Sequence, residues 1–218
     1  LIGHSLGEYT ALCLSGYLDF KDTLKVIAVR GEEMQKAVES SNTSMAAVLT
    51  SDLETTIGEI EKLNNQGIQI WISNFNDPSQ IVISSFIDDM SYLKTNPKAL
   101  GAKRVIPLEV AGAFHTEIVS SAKKPLEDTL NEIDISEGKI PVYMNVDAKK
   151  VKLSTLKENL VNQIDNSVLF NQQIEFVNKE IDPDLWCHIG PGNVTAGMVR
   201  KSISYKDLKI INSLESSR

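Results

Sequence analysis

The chain has 218 residues, 42% of them hydrophobic and 23% charged, with a net charge of −7 and a pI near 5.1. That suits one substantial core or a large domain carrying a smaller insertion, and it argues against a general nucleic-acid surface or a membrane span. Cys13 and Cys187 form neither a disulfide framework nor a metal-ligand spacing, so a reducing compartment is expected and no metal.

The first seven residues, Leu1-Ile2-Gly3-His4-Ser5-Leu6-Gly7, read as a strand end entering a tight turn with a serine at its apex. Glu8 to Leu14 then has helical composition. Strand, Gly-x-Ser-x-Gly and helix together make a nucleophile elbow: the glycines remove Cβ atoms where the turn is tightest, and the helix N-terminus beneath the hydroxyl offers free N–H groups to developing negative charge. His4 alternates away from the serine and reads as packing. A chain opening on the last residues of a core strand is expected to lack an N-terminal piece.

Gly16 reads as the stop of the elbow helix. Phe20 to Glu39 reads as a second helix with Leu24, Ile27, Gly31, Met34 and Val38 as its buried stripe. Arg30 stands at the edge of that stripe. Its head either pairs with a carboxylate such as Glu33 or waits for an anion from elsewhere.

From 43 to 107 the pattern becomes βαββαβ: strands at 44–49, 68–75, 80–85 and 103–110, helices at 52–63 and 88–96. This is the ferredoxin-like split βαβ order, read as an inserted subdomain. Asn74 and Asn76 flank the central turn and read as turn residues bonding local backbone. The outer parts, 1–42 and 108–218, alternate strand and helix, which predicts an α/β core with a largely parallel sheet. Within them, 139–146 reads as a strand and 154–164 as a helix with Leu156, Leu160 and Ile164 inward. A further helix is read at 168–178, a short buried strand at 185–189, a helix at 194–202 after Gly190-Pro191-Gly192-Asn193, and a last strand at 208–211. Pro125 is expected to kink or restart the helix running from Ile118 to Leu130. His115 closes Val110-Ala111-Gly112-Ala113-Phe114 on a loop beside a strand end, where it serves either as a general base for Ser5 or as a structurally satisfied helix-start residue.

Gly3-His4-Ser5-Leu6-Gly7-Glu8-Tyr9, Arg30, the βαββαβ insertion, Ala113-Phe114-His115, Met144-Asn145-Val146-Asp147 and Gly190-Pro191-Gly192 occur in one fixed order. In this the chain resembles the malonyl-CoA:acyl carrier protein transacylases, relatives of the acyltransferase domains of polyketide and fatty-acid synthases, over essentially its whole length. The resemblance implies a hydrolase-like core around the ferredoxin-like subdomain. It implies that Ser5 is acylated by malonyl-CoA, that His115 activates it, and that Arg30 binds the malonyl carboxylate. It further implies that the main-chain carbonyl of Gln163 orients His115 and that the N–H of Leu6 is one oxyanion donor. The second donor of the family comes from an N-terminal glutamine loop absent from this sequence. Leu6 and Ala113-Phe114 resemble malonyl-selective rather than methylmalonyl-selective members.

The implied partners are malonyl-CoA or CoA and acyl carrier protein. The phosphopantetheine is carried by that partner and no cofactor belongs to the enzyme, which is expected to be a monomer, cytoplasmic if bacterial and plastid or mitochondrial if eukaryotic. Lys123, Lys124, Lys149, Lys150, Arg200 and Lys201 are candidates for docking an acidic carrier protein. The chain departs from the family at His188, where many members have an acid. The alternatives are an α/β-hydrolase-type thioesterase, whose histidine would lie near the C-terminus after an intervening acid, and a non-catalytic docking domain.

Overall fold

A computed structural model describes residues 1–203 and 207–213. The apolar runs of the middle segment pair as one antiparallel sheet. Its strands are β1 (Thr43–Leu49), β2 (Ile70–Asp77), β3 (Gln80–Phe86) and β4 (Arg104–Pro107), in spatial order β2-β3-β1-β4. Helices α3 (Leu53–Asn65) and α4 (Ile87–Thr95) connect them, which reproduces the predicted βαββαβ succession. Asp52 starts α3 by accepting the Thr55 N–H, a side-chain N-cap. One face of the sheet buries Ala46, Val48, Ile81 and Ile83 against Ile60, Leu63, Met90 and Leu93. β2 is an edge strand with a register shift between Ile72 and Asn74. That irregularity turns the Ser73 carbonyl out of the ladder, where it accepts the Val168 N–H at 2.9 Å, and Phe75 N–H returns a bond to Val168 O at 2.9 Å.

The flanking parts form helices around a second core. The first helix, α1 (Leu6–Ser15), ends at Gly16, whose φ of 85° makes a left-handed cap. Helix α2 (Phe20–Val38) is rotated about one position from the stripe predicted for it: Thr23, Val26, Arg30, Met34 and Val38 are buried, while Leu24 is 47% exposed. The four-residue ladder Val26–Arg30–Met34–Val38 faces the core, so Arg30 sits in the middle of the inward face rather than at its edge. A 3₁₀ turn over Glu117–Ala122 gives way to α5 (Lys123–Asn131), so the helix restarts just before Pro125, in whose first turn a proline costs no bond. In α6 (Leu156–Asn162), Leu156 and Leu160 are fully buried, and Ile164 follows them into the same core.

The predicted strand at 139–146 is not a regular strand among the described residues. Pro141 can donate no hydrogen bond, and the chain turns at Ala148 (φ 54°), leaving single bridges from Tyr143 to Ile2 and Lys150. The largely parallel sheet is accordingly reduced, among the described residues, to the Ile2–Tyr143 and Asn74–Val168 bridges and one parallel pair, β5 (Leu185–Ile189) with β6 (Asp207–Ile211). β5 is not the buried strand predicted: of its five side chains only Trp186 is buried, because among the described residues β5 pairs only with β6 and its other side chains stay open. Trp186 packs with residues of α7 (Phe170–Ile181) and α8 (Val194–Ser202).

Candidate active site

The elbow closes because residue 3 is glycine. A Cβ there would lie 2.1 Å from the Gly7 carbonyl carbon and oxygen, a contact no side chain survives. At Gly7 a Cβ would meet nothing within 4 Å, so only the first glycine of the motif is sterically required. Ser5 occupies φ 50°, ψ −104°, a sparsely populated positive-φ conformation costing about 1–3 kcal/mol for a non-glycine residue. Neighbours hold it there. Ser5 N–H donates to Asn145 Oδ1 at 2.8 Å, Asn145 Nδ2 donates to Gly3 O at 2.7 Å, and Gln163 Nε2 donates to Ser5 O at 3.0 Å. Leu6 is the first residue of α1, so its N–H has no helical acceptor and lies beside the serine.

His115 arrives from the other side of the core on a loop that is itself tightly seated. A Cβ at Gly112 would lie 2.6 Å from Val38 Cβ, Ala113 N–H donates to Thr43 Oγ1 at 3.0 Å, and Thr116 Oγ1 donates to Ala113 O at 2.7 Å. His115 has φ 59° and is buried. Its Nδ1–H donates to the Gln163 main-chain carbonyl at 2.8 Å, which leaves the Nε2 lone pair facing Ser5 Oγ at 2.8 Å. Burial above all, then the nearby Arg30 charge, lowers its pKa to about 3, against the opposing pull of the Gln163 carbonyl. The imidazole is therefore neutral at physiological pH and able to take a proton.

Arg30 completes the triangle. One guanidinium nitrogen donates to both Ser5 Oγ at 2.8 Å and Gln163 Oε1 at 3.0 Å, and the guanidinium lies 5.5 Å over the Tyr9 ring. The Glu33 partner considered from sequence is instead paired with Lys36, and Arg30 forms no ion pair among the described residues. A permanent cation thus faces the nucleophile without a protein carboxylate in salt-bridge contact. The Ser5, Arg30, His115 and Gln163 expected together are brought together. Phe114, beside His115 in the chain, packs partly buried against the main core.

Two polar residues of this cluster carried no assigned role in the sequence reading. Glu8 is fully buried; its Oε1 accepts the Asn145 N–H at 2.6 Å and its Oε2 accepts the Gln163 Nε2–H. The signal was present, since Glu8, Leu12 and Ser15 recur at helical spacing on the buried face of α1. Asn145 lay within a quoted motif, but only the fold shows it bracketing the turn.

The remaining candidates fall elsewhere. His4 Nε2 meets Asn76 Oδ1 at 3.0 Å and its ring stacks edge-on against Phe170, so it is packed as expected. Asn76, read as a local turn residue, instead spans to His4 and donates to Gln80 Oε1 from the register shift between Phe75 and Asp77. His188 contacts Thr195 Oγ1 on α8 at 2.7 Å. Of the six basic docking candidates, Lys123 pairs with Asp165, Lys124 with Asp128 and Lys201 with Asp77, which makes these three parts of local ion pairs. A cavity of about 440 Å³ opens onto His115 between β2 and the loop Thr116–Glu117, floored by Ile57, Ile60, Ile70 and Ile72. Among the described residues no helix is long and apolar enough to cross a membrane.

The family described as acyl transferase domain matches residues 1–214. The chain is 39% identical over 202 residues to the malonyl CoA-acyl carrier protein transacylase of Bacillus subtilis (strain 168), covering 91% of this chain and 63% of that protein. It is 34% identical over 215 residues to the protein of the same name from Staphylococcus aureus (strain MRSA252), covering 98% and 70%. Thus it spans less than two thirds of the length of the Bacillus relative. Among solved structures, MCAT from Streptococcus pneumoniae superposes with a TM-score of 0.90 at 32% identity, covering 99% of this chain and 70% of that one. A malonyl-transacylase in complex with its type II PKS acyl-carrier protein does so with a TM-score of 0.90 at 31% identity, covering 99% and 69%.

Proposed function

The chain belongs to the acyl transferase domain family, and from that membership we propose that it moves a malonyl group from malonyl-CoA to the phosphopantetheine thiol of acyl carrier protein through a malonyl ester on Ser5. The observation that carries this reading is the position of Ser5 Oγ, 2.8 Å from a neutral histidine nitrogen and 2.8 Å from an otherwise carboxylate-free arginine. His115 takes the hydroxyl proton as Ser5 attacks the thioester, and returns it to the departing CoA sulfur. The carrier thiol then attacks the ester with His115 again as base. The Leu6 N–H at the head of α1 stabilises the oxyanion of each step. Arg30 takes the free carboxylate of the malonyl group, an interaction an acetyl group lacks.

The cavity beside His115 suits an uncharged, extended pantetheine arm, given its apolar floor. We assign residues 1–42 and 108–218 to a hydrolase-like core and 43–107 to a ferredoxin-like subdomain, supported by the strand order β2-β3-β1-β4. We take a monomer as the working unit, with a cytoplasmic reaction if the source is bacterial.

The test is to incubate the intact protein with radiolabelled malonyl-CoA or acetyl-CoA, quench, and map the label. A malonyl ester at Ser5 is expected, lost in Ser5→Ala. In Arg30→Ala the malonyl preference over acetyl should fall by about tenfold or more, the scale of a lost charge-assisted bond. No ester on Ser5, or an unchanged preference in Arg30→Ala, would overturn the reading.

A further inference from the structure

The Gln163 amide has one orientation that its surroundings accept. On the Nε2 side stand three acceptors: Ser5 O at 3.0 Å, Asn145 Oδ1 at 3.2 Å and the Glu8 carboxylate. On the Oε1 side stands the Arg30 guanidinium at 3.0 Å, the same nitrogen that reaches Ser5 Oγ. The main chain of the same residue supplies the carbonyl that holds His115. Among the described residues Glu8 is the one anion hydrogen-bonded to this node. Its other oxygen is held by the main-chain N–H of Asn145, which cannot turn away.

We propose that Glu8 is a positioning residue for acyl-group selectivity: its carboxylate fixes the Gln163 amide, and the amide oxygen in turn aims the Arg30 guanidinium at the position where a substrate carboxylate is read. This rests on the malonyl-transfer reading and extends it to a residue that touches no substrate. The requirement is for the ionised form. Both neighbours of the Glu8 oxygens are donors, so a protonated carboxyl places an O–H against an N–H, the amide loses its anchor and Arg30 loosens.

Burial raises the Glu8 pKa to about 8, with the Asn145 and Gln163 N–H groups and Arg30 pulling it down and Asp147 pushing it up. The imidazoles and the phenol facing the node stay neutral across that range. His115 and His4 are both lowered, chiefly by burial, and burial raises Tyr9 out of reach. The selectivity of the site is therefore tied to the ionisation of Glu8.

The experiment measures ester formation on Ser5 of the intact protein with malonyl-CoA and with acetyl-CoA at intervals from about pH 6.5 to 9.5, around the raised pKa of Glu8. The ratio of the two rates cancels any titration common to both. The native ratio should rise roughly tenfold through a transition near pH 8, the worth of one charge-assisted bond. In Glu8→Gln it should be flat at the low value. Gln163→Met keeps the carbonyl that holds His115 but has no amide, and it too should be low and flat. These two variants guard against either one failing to fold. A native ratio without a pH step overturns the proposal, as does either variant retaining the native ratio and step. Absence of a malonyl ester at every pH would instead overturn the malonyl-transfer reading, and this inference with it.

Discussion

On the core face of the sheet of residues 43–107 the buried side chains are Ala46, Val48, Ile81, Ile83 and their like, and the strand backbones pair in antiparallel ladders. Around Ser5 they are Glu8, Arg30, His115, Asn145 and Gln163, drawn from five separate stretches of the chain. The first region is held by the removal of apolar surface from water. The second withdraws charges and amides from water and recovers the cost only through mutual hydrogen bonds. Strain follows the same division. Ser5 and His115, the two partners of the proposed dyad, both sit at positive φ, whereas no strand residue of the sheet does. One region stabilises the molecule; the other is held in place by it and prepared for chemistry.

The difference can be broken from the site side most strongly. His115→Ala should lower the rate of ester formation on Ser5, per folded molecule, by about a hundredfold to ten-thousandfold, the range for a positioned general base. A rate within threefold of native, read by quenched labelling, would show that another group serves as base. From the sheet side, Ile83→Ala should destabilise the fold by about 2–5 kcal/mol through the lost burial and the cavity left behind. Ester formation per folded molecule should be unaffected. Chemical denaturation and labelling of the same samples check both halves.

The smallest effect concerns pH. Glu8 has its folded pKa raised from 4.5 to about 8, so its contribution is fully present below 4.5 and is lost as pH rises towards 8. His115 is lowered from 6.5 to about 3, so its contribution is present above 6.5 and is lost as pH falls towards 3. Each acts with a slope of about 1.4 kcal/mol per pH unit. Between 4.5 and 6.5 the two cancel, giving a plateau of stability with a decline on either side. Glu8→Gln should remove the alkaline decline and leave the acid one. A variant whose melting temperature still falls between pH 6.5 and 8 as the native does would contradict the assignment.

Legibility in the sequence followed the same boundary. The βαββαβ succession is written in short-range periodicity and turn residues, and it formed as read, with ends displaced by at most three residues. Ser5 and His115 stand in local motifs and were equally visible. Arg30 was identified, yet its helix face was placed one position off, because a stripe drawn through apolar residues excludes a buried cation by construction. Glu8 was passed over for the same reason: a glutamate in the first turn of a helix reads as solvent-facing until the Gln163 and Asn145 donors are known. The strand at 139–146 and the burial expected of the strand at 185–189 failed differently. Their apolar content was right, but strand character and burial depend on which neighbour lies alongside, and that is a property of distant chain.

The seam at Val168 sets how the cleft beside His115 can move. Val168 is joined to β2 by two backbone bonds of 2.9 Å each, to Ser73 and from Phe75, and Ser167 Oγ adds a third to Ile72 O. The opposite lip is joined by one exposed side-chain bond, from Trp71 Nε1 to Glu117 Oε1 at 3.1 Å. An exposed bond of that kind opens far more readily than a buried backbone pair. Amide hydrogen exchange at Phe75 and Val168 is therefore expected to be slower than at Trp71, beside the singly bonded edge.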